Sequence, residues 1–197
     1  MPEGTLLALT TEGIMQLERD VVAELKRRAL DQNIAASEAE LVVRDILPAT
    51  DLNAAYEEWT QSGLIAGGAY TTVYSGRLRD TKIFAVYGVC NETPTATSGV
   101  AYKTKESAGV SGASPCTVAI RFGLGVGPAK IKDIWHVQKM YEKDEQSVFC
   151  DVPVIYNKEE VFQIAFYGRR SVSGGMDAII LHGKVCEPKG EVILGAE

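Results

Sequence analysis

Val161-Phe162-Gln163-Ile164-Ala165-Phe166-Tyr167 is the stretch on which the fold turns. It is too short and too rich in β-branched and aromatic residues for a helix, and Gly168 stops it, so it reads as a strand. Working outward, similar runs occur at Tyr70 to Leu78, Lys82 to Cys90, Thr117 to Phe122, Val148 to Tyr156 and Ala178 to Cys186, separated by turns containing Gly, Pro or Asn. Lys130 to Tyr141 carries Ile131, Ile134, Trp135 and Tyr141, which also fit a helix, but its surroundings are all β and the strand reading is preferred. Residues 91–115 are small and polar around a short apolar run, Val100 to Lys103, and read as a long loop. Short strands at regular spacing imply an antiparallel sandwich or barrel.

The N-terminal part has a different composition. Residues 1–60 carry 12 acidic and 5 basic side chains, whereas residues 61–197 carry 14 and 15, so the net charge of −6 is concentrated in the first third. Only 2 of 19 glycines and 2 of 15 aromatics precede residue 61, which favours helix there. Ile14, Leu17, Val21, Leu25 and Arg28 follow helical spacing, with Thr11 as a candidate N-cap and Asn33 near the end. Ser37-Glu38-Ala39-Glu40 has the capping-box form, and Leu41, Val42, Ile46 and Leu47 supply an apolar side up to Pro48, predicting a second helix. A third, capped by Thr50 or Asp51, is expected to hold Leu52, Ala55, Tyr56 and Trp59 before Ser62-Gly63. Residues 1–66 are therefore expected to form a helical arm and residues 67–197 the β domain. Three short helices bury little alone, so the arm needs a partner surface. That surface is either its own chain or a neighbouring subunit; in the second case Ile14, Leu17, Val21, Leu25, Tyr56 and Trp59 are the docking residues.

Signals for chemistry are sparse. Gly123-Leu-Gly-Val-Gly127 lacks both the dinucleotide spacing and the P-loop ending, and Pro128 removes a donor where a helix would start, so it reads as a turn. Cys90, Cys116, Cys150 and Cys186 form no C-x-x-C pair and read as small buried apolar groups. His136 and His182 are isolated in strands. Glu159-Glu160 and Asp144-Glu145 read as solvated turns, and Arg169-Arg170 as a hairpin tip. Tyr70, Tyr74 and Tyr102 are candidates for an aromatic carbohydrate groove. No catalytic, metal or cofactor site is assigned. No run approaches the ~20 apolar residues of a membrane span, and the N-terminus lacks a basic region followed by an apolar stretch, so the expectation is a soluble, non-exported chain. The acidic balance argues against direct nucleic-acid binding.

A family resemblance appears in the C-terminal two thirds. Lys82-Ile-Phe-Ala-Val-Tyr-Gly-Val, Thr117-Val-Ala-Ile-Arg-Phe-Gly, Ala129-Lys-Ile-Lys-Asp-Ile-Trp-His-Val, Val152-Pro-Val-Ile-Tyr, Phe162-Gln-Ile-Ala-Phe-Tyr and Ile179-Ile-Leu-His-Gly-Lys-Val-Cys-Glu-Pro-Lys-Gly together resemble the small jelly-roll cement or decoration proteins of tailed-bacteriophage heads, over about residues 70–190. The resemblance implies a mainly β, jelly-roll-like antiparallel sandwich with an N-terminal helical arm. It further implies a non-enzymatic virion protein, made in the host cytoplasm, that forms homotrimers and binds the major capsid protein on the outer surface of the head. A receptor- or carbohydrate-binding sandwich is the alternative, and a nucleotide-binding α/β enzyme a more distant one.

Overall fold

The computed structural model describes residues 5–57, 59–62, 68–91, 117–125, 130–137, 147–168 and 176–191. The fold is mainly β, two antiparallel sheets with one long N-terminal helix. One sheet contains β1 (Leu6–Leu7), β2 (Leu41–Asp45), β3 (Thr60–Ser62), β5 (Ile83–Asn91), β8 (Ser147–Tyr156) and β10 (Met176–Pro188), in the order β1-β8-β5-β10-β2, with β3 also on β10. The other is β4 (Tyr70–Arg77), β9 (Val161–Gly168), β6 (Thr117–Leu124) and β7 (Lys130–Trp135), in the order β4-β9-β6-β7. Residues 130–135 are thus a strand, and the 161–167 run lies at the centre of its sheet between β4 and β6.

Alternation along the strands builds the core. Phe162, Ile164 and Phe166 of β9 point inward with Ile120 and Phe122 of β6, and meet Phe84, Val86, Val154, Tyr156 and Val185 from the facing sheet. Phe84 crosses the gap edge-on to Phe162, ring centroids 5.4 Å apart, and within the four-stranded sheet Trp135 of β7 meets Phe122 of β6 edge-on at 4.6 Å. Lys132 reaches from β7 across the side of the sandwich, donating to the Ile155 carbonyl at 2.6 Å and pairing with Glu160 at 2.8 Å.

Helix α1 (Thr11–Asp31) starts one residue earlier in capping terms than its pattern suggests, because Thr10 accepts the Gly13 N–H, and the chain leaves it through Asn33 in the left-handed region. Its inner face forms a second core with the outer face of the six-stranded sheet. Val21, Leu25 and Ala29 are buried against Ile83, Ala85, Tyr87, Phe149 and Cys186, with Ile14 and Leu17 at the margin. The C-terminal end is tied to the β8–β9 turn, where Gln32 donates to Asn157 at 2.8 Å and Lys158 donates back to the Gln32 carbonyl.

Two expected helices are corrected. Ser37 makes no side-chain cap; Glu38–Glu40 is a single 3-10 turn, and Leu41 to Asp45 is strand β2, paired with β10 from Leu41↔Pro188 to Asp45↔Lys184. Leu-Val-Val is β-prone, and the exposed edge of β10 satisfies its backbone groups across the ladder better than one isolated turn of helix. The third helix, α2, runs only Pro48–Leu52, preceded by Leu47 and ended by Asn53 in the left-handed conformation. Neither Thr50 nor Asp51 caps it. The six-stranded sheet also crosses the expected division at residue 66, since β1, β2 and β3 all belong to it.

Two glycines mark where backbones come close. Gly183, at the bulge between β10 and β5, has no room for a side chain: a Cβ there would lie 2.6 Å from the Ala85 carbonyl oxygen and would collide with Ile46 Cδ1. Gly88 sits under the Phe149 ring, 2.6 Å from where its Cβ would be.

Candidate functional site

Three places gather polar chemistry. The first lies beneath the N-terminal half of α1, where a cavity of about 320 Å³ is lined by Glu18, Asp45, Tyr87, His182 and Lys184 together with Trp59 and Ile46. Each polar residue arrives by strand parity or helical spacing. Lys184 stands opposite Asp45 across the β10–β2 ladder and pairs with it at 2.5 Å, and Glu18, one helical turn before Val22, accepts the Tyr87 hydroxyl at 2.8 Å. Burial and then the Glu18 carboxylate push the Tyr87 phenol well up, so it is a fixed donor. His182 lies beside the Phe149 ring, and its Nε2 is buried with no hydrogen-bond partner. Burial lowers its pKa despite the opposing pull of Glu18 and Asp45, so the ring is neutral at neutral pH. Beside this cavity a groove of about 430 Å³ runs along α1, with Met15, Val22 and Ala23 as its floor and Arg19, Lys26 and Glu38 on its rim.

The second is a closed network of four charges. Arg44 donates both terminal nitrogens to Asp51, at 2.7 and 2.9 Å, and its Nε to Glu187 at 2.7 Å. Lys82 Nζ stands 3.2 Å from Asp51 and 2.9 Å from Glu187 Oε2. The second contact is off the hydrogen-bond line, so Oε2 is paired by charge and accepts no hydrogen bond. Two acids face two bases, and the Asp51 and Glu187 side chains are fully enclosed. Burial alone would raise the Asp51 pKa, but Arg44, the Leu47 N–H and Lys82 together hold it below the ordinary carboxylate range. Every charge being matched, this network is a clamp that fastens β2 and the residues around α2 to β5 and β10.

The third is the outer face of the four-stranded sheet. Alternation turns Tyr167 of β9 and Arg121 of β6 away from the core, and Tyr70 of β4 is in register with Tyr167. The two rings are 5.2 Å apart, and the Arg121 guanidinium lies 4.5 Å above the Tyr70 centroid. Among the described residues α1 packs on the other sheet, and α2 meets this one at β4.

The residues expected to dock a neighbour are distributed differently. Val21 and Leu25 are buried inside this chain, Ile14 and Leu17 pack at the edge of the same cluster, and Trp59 packs against the main core edge-on to Tyr74. Only Tyr56 is largely exposed, at 76%. The helix face was open to two readings, and its apolar stripe is taken up by the chain's own sheet. Of the carbohydrate candidates, Tyr74 is core and Tyr70 is on the outer face. Tyr102, Cys116, Asp144-Glu145, Arg169-Arg170, Gly127-Pro128 and the 100–103 run lie outside the described residues. Cys90, Cys150 and Cys186 are buried, and burial pushes the thiols of Cys150 and Cys186 up to about 11. Among the described residues no three His, Cys, Asp or Glu side chains are placed to hold a metal ion, and no helix is long and apolar enough to cross a membrane. The pattern does hold a signal for Glu187: two residues beyond the buried Val185 it falls on the core face, where a carboxylate needs cationic partners.

No protein-family model, curated protein or solved structure matches this chain.

Proposed function

We propose that this chain is a structural assembly protein without enzymatic activity: a jelly-roll-like cement protein that oligomerises and seats on the outer surface of a tailed-phage head, with the major capsid protein and further copies of itself as partners and no direct contact with nucleic acid. The observation that carries the reading is the contrast between the two outer faces of the sandwich. Helix α1 closes one, and the other bears the Tyr70–Arg121–Tyr167 row, an aromatic and cationic cluster of the composition enriched at protein interfaces. The strand-and-turn resemblance to head decoration proteins supports it, and so does the net charge of −6, which suits the outside of a shell better than a surface facing packaged DNA. Because α1 and β1–β3 are built into the sandwich, docking is assigned to this sheet face and not to a detachable arm.

The test is co-sedimentation of the purified protein with expanded capsids, comparing wild type with Arg121→Glu and Tyr167→Asp. Stoichiometric binding that both variants lose, with circular dichroism unchanged, is the expected outcome; failure of the wild type to co-sediment overturns the reading. The same tyrosine pair favours a second reading, a carbohydrate-binding face on which a sugar ring stacks. Glycan-array binding that Tyr70→Ala abolishes, without capsid binding, would establish that one instead.

A further inference from the structure

We infer that β2 is a self-pairing edge: a second copy of this chain docks through it in a two-fold, antiparallel arrangement that continues the six-stranded sheet and closes the groove beside α1. The hydrogen-bond parity of β2 is determined by one bond outside the ladder. Ile46 N–H donates to the Gly183 carbonyl, and Asp45 is opposite Lys184, so residues 42, 44 and 46 direct their backbone groups to β10. Leu41, Val43 and Asp45 therefore direct theirs to the open side, where among the described residues no strand pairs with them. The Leu41 N–H is taken by Glu38, which leaves the Leu41 carbonyl, both Val43 groups and the Asp45 N–H facing outward.

This set is self-complementary. A dyad at Val43 gives one bond from each Val43 N–H to the other copy's Val43 carbonyl, and one from each Asp45 N–H to the other copy's Leu41 carbonyl, four in all. Charge follows the same symmetry. Asp45, with 76% of its side chain exposed, comes to the Leu41 end of the other copy, where Lys26 stands 3.9 Å from Glu38, its one ion pair among the described residues. The groove floor of Met15, Val22 and Ala23, with Met15 half exposed, is then shared between the two copies. The other edges are protected in recognisable ways: β1 already covers β8, Asn53 donates its amide to the Ser75 carbonyl of β4, and β7 carries Lys130 and Lys132. The Leu-Val-Val-Arg-Asp sequence of β2 has no Pro, Gly or bulge, and its arginine is turned inward onto Asp51 and Glu187.

The inference rests on the oligomeric part of the proposed function but gives an even-numbered assembly where the resemblance implies a trimer, and it is read on the isolated protein so that the two can fail separately. Sedimentation equilibrium of the full chain is expected to give twice the chain mass, or an even multiple of it. Val43→Pro removes the outward N–H at each side of the dyad while leaving the bonds to β10, and is expected to halve the mass. Since Val43 also packs under α1, Ala23→Glu, at an exposed groove position, serves as a second variant with no packing role and should halve it as well. A monomeric wild type up to its solubility limit overturns the interface, as does an oligomer whose mass neither variant changes; a capsid-binding monomer would leave the sheet-face proposal standing alone.

Discussion

Replacing Asp51 by asparagine tests the charge clamp without changing the shape of the site. The carboxylate accepts two bonds from Arg44 and one from the Leu47 N–H, and has Lys82 at 3.2 Å. The amide keeps one acceptor but turns a donor toward two cations, and leaves Arg44 and Lys82 to share Glu187 alone. Removing one member of a buried ion pair costs about 3–5 kcal/mol because the remaining charge stays desolvated. For a chain of this size each kcal/mol corresponds to roughly 2–4 °C in Tm, so a fall of about 6–20 °C is expected in a thermal melt followed by circular dichroism. The double variant Asp51→Asn/Lys82→Met restores the balance of one acid and one base, and should recover a good part of the loss; the coupling is read from the double-mutant cycle. The sign of the pH dependence follows from the depressed Asp51 pKa. Its contribution is fully present above the unfolded value near ~3.9 and is lost as pH falls through the lower folded value, with a slope of up to about 1.4 kcal/mol per pH unit. The single variant should lack that component. A Tm within about 2 °C of wild type at pH 7, well short of what an uncompensated buried charge costs, would refute the clamp.

Three further outcomes follow from the geometry. Gly183→Ala drives a methyl into the Ala85 carbonyl oxygen and Ile46, and should cost about 1–3 kcal/mol by chemical denaturation, more than Gly190→Ala, which meets nothing within 4 Å. Leu25→Ala should lower stability by about 2–5 kcal/mol in urea and increase proteolysis of α1, as expected for a helix integral to the fold; an effect near zero would mean that the helix is dispensable. His182 is held neutral by burial, so its folded pKa lies below the unfolded value near ~6.5; stability is present above that value and declines as pH falls below it, and His182→Gln should flatten the Tm profile below about pH 6.5.

Much of the architecture was written in local pattern, and the places where it was not share one cause. Strand β9 could be read from seven residues, because a short β-branched and aromatic run closed by glycine has few alternatives. The inner face of α1 followed from the spacing of Ile14, Leu17, Val21 and Leu25, since helical period alone fixes which side is apolar. Local pattern failed at Ser37 to Leu47. There a capping-box sequence and apolar residues at workable spacing described a helix, and the strand won because β10 offered a ladder and its core-side charge, Glu187, required Arg44. The site was harder still: Arg44 and Glu187 are 143 residues apart, and Glu18 and Tyr87 are 69 apart, so no window of sequence contains either pair.

The sequence by itself therefore determined a mainly β chain with an amphipathic N-terminal helix, the inward faces of its central strands, and an acidic N-terminal third, all of which depend on residues within a few positions of one another. Only the tertiary structure decided that the helix spends its apolar face on its own sheet, that among the described residues 41–45 form the last strand at one side of the six-stranded sheet, and that Tyr70, Arg121 and Tyr167 share one outer face. Those outcomes depend on which strands lie side by side and in what register, and a register is a property of two distant segments at once.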